Sequence, residues 1–220
     1  KRPTPPPSRS TRTWAWAWSG GNGRSIVIVN VIVQARLGST RLPGKVMLMA
    51  AGKPLIGHLV ERLRRCTSID RVIVAGPMAD QHGPLRKYLH EIECDHFFGE
   101  AENDLCARYL SAIALFPCDG FIRICADSPL IQPEIVEATA AALRAGVEFH
   151  STAGMKAIPP GNAAEGVSVK FYRETICRHC APEDREHAGF PWLYRELAKQ
   201  STLVDTPADF ERVKRMIEDA

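Results

Sequence analysis

Arg36, Arg41 and Lys45 fall within one ten-residue stretch that contains no Asp or Glu and also holds Gly38, Ser39, Thr40, Pro43 and Gly44. Three cations without a neutralising acid suit a polyanion. Guanidinium groups grip phosphate oxygens in pairs, and glycines let backbone N–H groups approach them closely. A nucleoside triphosphate is the ligand that matches this chemistry. The Walker pattern does not describe the loop, because five residues separate Gly38 from Gly44 and Val46 follows Lys45 where Ser or Thr is required. The dinucleotide pattern G-x-G-x-x-G is absent here too. The alternative is three solvated surface cations, which leaves their grouping with two glycines unexplained.

Such a loop needs a rigid element before it. Ile26 to Val33 is a nearly continuous apolar run, long enough for a strand buried on both faces in a parallel sheet. The loop then leaves the carboxyl end of that strand, the edge where open α/β sheets bind ligands. Downstream, Pro54–Cys66 has a helical stripe of Leu55, Leu59, Val60 and Leu63, with proline at its first turn. Strands at Arg71–Ala75, His96–Phe98 and Gly120–Cys125 alternate with helices at Pro84–Ile92, Glu102–Leu115 and Pro133–Ala145. Four alternations predict an α/β fold with a doubly wound, mostly parallel sheet. Beyond them the pattern loosens: Phe149–Pro160 reads as loop or hairpin, Val167–Phe171 as a strand, and Ala181–Lys199 as one or two short helices. Ala208–Glu218 closes the chain as an amphipathic helix.

Two aspartates share a local setting. Asp127, in I-C-A-D-S-P, and Asp205, in L-V-D-T-P, each follow an apolar strand-like run and precede a hydroxyl residue and a proline. Both are expected at strand ends on the edge that carries the cationic loop. Mg²⁺ is held by one or two carboxylates together with substrate phosphates, so these two aspartates opposite three cations make a metal–triphosphate site. Asp205 also fits a helix N-cap.

The 220 residues, 45% hydrophobic, suit one α/β domain with a substantial core. No apolar run reaches the roughly 18 residues that a membrane span needs, so no membrane association is expected. The net charge of +3 owes its sign to Lys1, Arg2, Arg9, Arg12 and Arg24; without them 23 cations face 25 acids. That balance argues against a nucleic-acid partner. Seven scattered cysteines, an odd number, read as reduced thiols in a cytoplasmic protein rather than a disulfide framework. Cys177 and Cys180 have zinc-like spacing but no second C-x-x-C. Residues 1–25, rich in Pro, Ser, Arg and Gly, read as a disordered low-complexity tail, leaving 26–220 as the folded domain.

The stretch Gln34–Lys45, Q-A-R-L-G-S-T-R-L-P-G-K, followed by G-K-P-L-I at Gly52–Ile56, resembles the opening signature of the cytidylyltransferase family. That family includes the 3-deoxy-manno-octulosonate and acylneuraminate cytidylyltransferases and, as the nearest resemblance, the spore-coat polysaccharide type. The similarity continues through D-L-C-A-R-Y at Asp104–Tyr109, A-D-S-P-L-I at Ala126–Ile131, R-E-H at Arg185–His187 and V-D-T-P-A-D-F at Val204–Phe210. It implies a nucleotide-diphospho-sugar transferase fold of Rossmann-like type, and transfer of CMP from CTP to a sugar, a sugar acid in particular. Pyrophosphate release, Mg²⁺ as cofactor, a role in surface or spore-coat polysaccharide biosynthesis and a homodimer come with it. By position, Arg36, Ser39, Arg41 and Lys45 would hold the triphosphate, with Ala35 and Gly38 in the same loop. Arg36, Arg41 and Lys45 would act in catalysis, Asp127 and Asp205 would hold the metal, and Asp104 and Arg108 would lie near the nucleotide. Ala126 stands where the family has Gly. Glu165–Lys170 stands where a G-L-D-V-E-V-like strand is expected, so Ser168 and Lys170 are read as replacing acids. Transfer from UTP or GTP, and a non-catalytic nucleotide-binding homologue, stay open as alternatives.

Overall fold

The structure, a computed structural model, describes residues 16–18, 28–153, 155 and 158–199. Its elements in chain order are β1 (Trp16–Trp18), β2 (Val29–Gln34), β3 (Met49–Ala50), β4 (Lys53–Pro54), α1 (Leu55–Leu63), β5 (Arg71–Gly76), α2 (Pro84–Glu91), β6 (Asp95–Phe98), α3 (Leu105–Leu115), β7 (Gly120–Cys125), α4 (Pro133–Arg144), β8 (Phe149–Ser151), β9 (Glu165–Ser168), α5 (Val169–Phe171), α6 (Cys177–His179) and α7 (Phe190–Lys199). One seven-stranded sheet has the order β1-β8-β9-β7-β2-β5-β6. β6, β5, β2 and β7 are parallel neighbours, while β9 runs antiparallel to both β7 and β8, and β1 antiparallel to β8.

β2 lies at the centre because both its faces are apolar. Val29, Val31 and Val33 face one core with Leu59 and Leu63 of α1, Leu85 of α2 and Val136 of α4. Ile32 faces the other core with Tyr109 of α3, Phe121 of β7, and Phe190 and Leu193 of α7. From β2 the chain builds outward through β5 to β6, then returns through α3 to β7 on the opposite side of β2. The reversal opens a crevice between the carboxyl ends of β2 and β7, where a doubly wound sheet takes its ligand.

Two expectations change and one is sharpened. The strand expected at Val167–Phe171 is β9, Glu165–Ser168, and the chain turns helical at Val169. The Ser168 hydroxyl accepts from the Phe171 N–H, and this N-cap outweighs the alternating V-S-V pattern. Ser168 pairs with Gly120, at the end of β7 away from the crevice, whereas Glu165 pairs with Arg123 near it. The acid of this strand near the ligand edge is Glu165, while Ser168 lies at the far end and Lys170 in the helical turn beyond it. Second, the segment read as loop or hairpin takes the hairpin form: β8 opens it and pairs antiparallel with β9. Third, the tail is not structureless throughout: Trp16–Trp18 pair with Phe149–Ser151. The W-A-W alternation is a strand signal that the composition of residues 1–25 obscures. The rest of that tail, Asp205 and the closing helix lie outside the described residues.

Candidate active site

Between β2 and the 3-10 turn Lys45–Met47 the chain makes a tight excursion. The N–H groups of Ser39 and Gly44 both donate to the Leu37 carbonyl, at 2.9 Å each, and Asp80 accepts from the Leu37 N–H at 2.8 Å. Gly44 has φ of +67°, a conformation that disfavours any side chain, and it aims Lys45 back across the crevice. A cavity of about 390 Å³ results, lined by Gln34, Arg36, Ser39, Arg41, Lys45 and Asp127 among others.

The acids missing from the loop sequence are supplied from elsewhere. Lys45 Nζ donates to Asp127 Oδ2 at 2.5 Å, from β2's loop to β7's end. Arg36 Nη1 lies 3.0 Å from Glu102 Oε1 and 3.7 Å from Glu186 Oε1. Arg41 is exposed and forms no ion pair among the described residues. These pairs hold the cations in place and partly neutralise them. At Gly38 a Cβ would come within 3.0 Å of Glu102 Oε1, so the glycine lets this acid close over the loop.

The remaining nominated residues divide. Ala35 is buried, its N–H bonded to the Ala75 carbonyl at 3.1 Å, and it supports the loop from within the sheet. Asp104 caps α3 by accepting from the Ala107 N–H at 2.9 Å, and it pairs with Arg185 at 3.0 Å. Arg108, 1% exposed, donates to the carbonyls of Gly99, Ala101 and Glu102. Burial lowers its pKa, yet the carbonyls keep the cation satisfied. Asp104 and Arg108 thus build the wall that presents Glu102, and neither lines the cavity.

No group of three or more His, Cys, Asp or Glu side chains among the described residues could hold a metal ion, Cys177 and Cys180 included. Mg²⁺ needs only one or two protein carboxylates beside phosphate oxygens and water. Asp127, half-exposed at the cavity, fits as one such ligand.

A cytidylyltransferase family model matches residues 30–207, most of the chain and all of this site. The chain belongs to the cytidylyltransferase family. It is 33% identical, over 138 residues, to the 3-deoxy-manno-octulosonate cytidylyltransferase of Anaeromyxobacter dehalogenans, covering 57% of this chain and 51% of that protein. A second enzyme of that name from Hydrogenovibrio crunogenus is 31% identical over 115 residues, covering 52% of this chain and 46% of that protein. The chain thus spans about half the length of the curated relatives it matches. Among solved structures, a cytidylyltransferase from Leptospira borgpetersenii is 27% identical with a TM-score of 0.72, covering 78% of this chain and 72% of that one. CMP:2-keto-3-deoxy-manno-octonic acid synthetase complexed with CTP shares the fold at TM-score 0.55 and 19% identity, covering 88% of this chain and 99% of that one.

The chain carries a second cavity, also about 390 Å³, on the other side of Asp127. Cys125 and Asp127 line both; the second also has Arg123, Ser128, Ala163 and Glu165 in its wall. Arg123 and Glu165 form an ion pair with side chains 12% and 7% exposed. Burial disfavours the Arg123 cation, but the Glu165 carboxylate outweighs it and the pKa ends raised. Tyr194 of α7 donates to the other Glu165 oxygen and lies 2.7 Å from the Ser151 hydroxyl. Burial pushes the Cys125 thiol up, so it stays protonated between the cavities. Sequence reasoning passed over Arg123, Glu165 and Tyr194. The available signal was a lone arginine inside the apolar strand G-F-I-R-I-C, since a buried cation demands a partner.

Proposed function

We propose that the chain is a CTP-dependent nucleotidyltransferase that transfers CMP to a hydroxyl of a sugar acid and releases pyrophosphate. The observation that carries the reading is Asp127. It stands between a cavity walled by Arg36, Arg41 and Lys45 and a second cavity of sugar size. The triphosphate occupies the first and the acceptor the second. Arg36, Arg41 and Lys45 exchange their carboxylate or water contacts for phosphate oxygens, and Lys45 releases Asp127 as it does so. The acceptor oxygen attacks the α-phosphorus, the bond to the bridging oxygen breaks, and the hydroxyl proton leaves to solvent. Positioning and neutralisation dominate such transfers, so Arg41 and Lys45 act where charge grows on the departing pyrophosphate. Asp127 and, by the family resemblance, Asp205 would hold Mg²⁺, which when bound supplies further neutralisation of phosphate charge. An activated sugar acid is a donor for polysaccharide synthesis, which supports a role in surface polysaccharide biosynthesis.

Pyrophosphate release measured for the four ribonucleoside triphosphates against a panel of sugar acids and neutral sugars tests this. CTP with a sugar acid is expected to react fastest. Faster reaction with UTP or GTP would change the donor, and CTP binding without release would favour a non-catalytic homologue.

A further inference from the structure

The guanidinium of Arg123 touches both halves of the site without facing the triphosphate cavity. Its Nη1 donates to Glu165 Oε2, while Nε and Nη2 donate to Gln34 Oε1 at 3.2 and 3.0 Å. Nη2 also lies 3.6 Å from Cys125 Sγ, and the group stacks over the Phe190 ring at 5.5 Å. Gln34 is the last residue of β2 and lines the triphosphate cavity; Glu165 is the first residue of β9 and lines the acceptor cavity. Asp127 lies between them, four residues beyond Arg123 on the same strand and turn. Tyr194 fixes the far oxygen of Glu165, so every part of the network is tied.

We infer that Arg123 is a positioning residue of the transfer: a buried strut that sets the separation of the triphosphate and acceptor cavities through Gln34 and Glu165. The inference rests on the transferase reading above. An acceptor hydroxyl has to meet the α-phosphorus in line with the leaving oxygen, and a displacement of about 1 Å lowers such a rate on the order of 100-fold. Only the planar fork of arginine reaches both partners at once. Lysine carries the charge to Glu165 but has no second, rigidly placed donor for Gln34. A merely structural ion pair would support stability and leave turnover per folded molecule unchanged.

The test compares full-length wild type, Gln34→Ala, Arg123→Lys and the double variant. Steady-state kinetics with CTP and the best acceptor are normalised to folded protein. Arg123→Lys is expected to lower kcat about 100-fold with little change in the KM for CTP. Gln34→Ala leaves the ion pair intact and is expected to fold, while lowering kcat by at least about tenfold. The double variant should be no slower than Arg123→Lys, because both changes cut the same link. Unchanged kcat in Gln34→Ala or in folded Arg123→Lys, or losses that multiply in the double variant, would overturn the inference. A wild-type chain that releases no pyrophosphate from any nucleotide would instead overturn the transferase reading, and this one with it.

Discussion

The ion pair that contains Asp127 and the one that lies beside it on β7 and β9 differ sharply in exposure. Lys45 and Asp127 are 31% and 49% exposed, whereas Arg123 and Glu165 keep 12% and 7%. Water screens the first pair, so its Coulomb attraction nearly balances the entropy of holding two side chains still, and its net worth is about 0–1 kcal/mol. The second pair has lost most of its water. Removing one partner there strands a charge, at about 3–5 kcal/mol. The first arrangement costs little to open; opening the second costs several kcal/mol. The site thus combines cations free to change partners with a frame that does not.

Three substitutions would break or sharpen that contrast. Glu165→Ala has the largest expected effect on the fold, a loss of about 3–5 kcal/mol in urea unfolding; a loss below about 1 kcal/mol would make the two pairs equivalent. Lys45→Ala should change unfolding free energy by less than about 1 kcal/mol. It should also lower kcat/KM roughly 30- to 1,000-fold, the scale of 2–4 kcal/mol for a lost charge stabiliser. Stability loss without a kinetic change would make Lys45 a structural residue. The smallest effect is expected for Glu102→Gln, which frees Arg36 from its nearer acid. Calorimetry should show CTP binding tightened by up to about fivefold, the equivalent of about 1 kcal/mol. Weaker binding would mean that Glu102 orients Arg36 rather than competing for it.

The parallel half of the sheet was legible because its strands are apolar on both faces and its helices carry a clear stripe, as in V-I-V on β2 and Leu59–Leu63 on α1. The cationic loop and Asp127 were legible for a related reason: polar residues that interrupt such strands at one end must face the same edge. The antiparallel half was not. β8 and β9 are short, and in V-S-V-K-F the local cap at Ser168 competes with alternation, so the helical turn after Ser168 was read as strand. The ion pairs were also hidden, since Glu102, Glu186 and Asp127 lie far from the loop in sequence and meet it only through the sheet order.

The pairing of Trp16–Trp18 with β8 has a consequence for how the chain comes together. β1 precedes the other described strands, but its partner emerges only after α4, so it cannot join the sheet until β2, β5, β6 and β7 have been synthesised. Closing so long a loop is slow compared with the neighbouring β–α–β pairings. Until β1 docks, the outer backbone of β8 stays open to strands of other molecules. The first of the described strands therefore joins the sheet late, and in joining it covers an edge otherwise open to association.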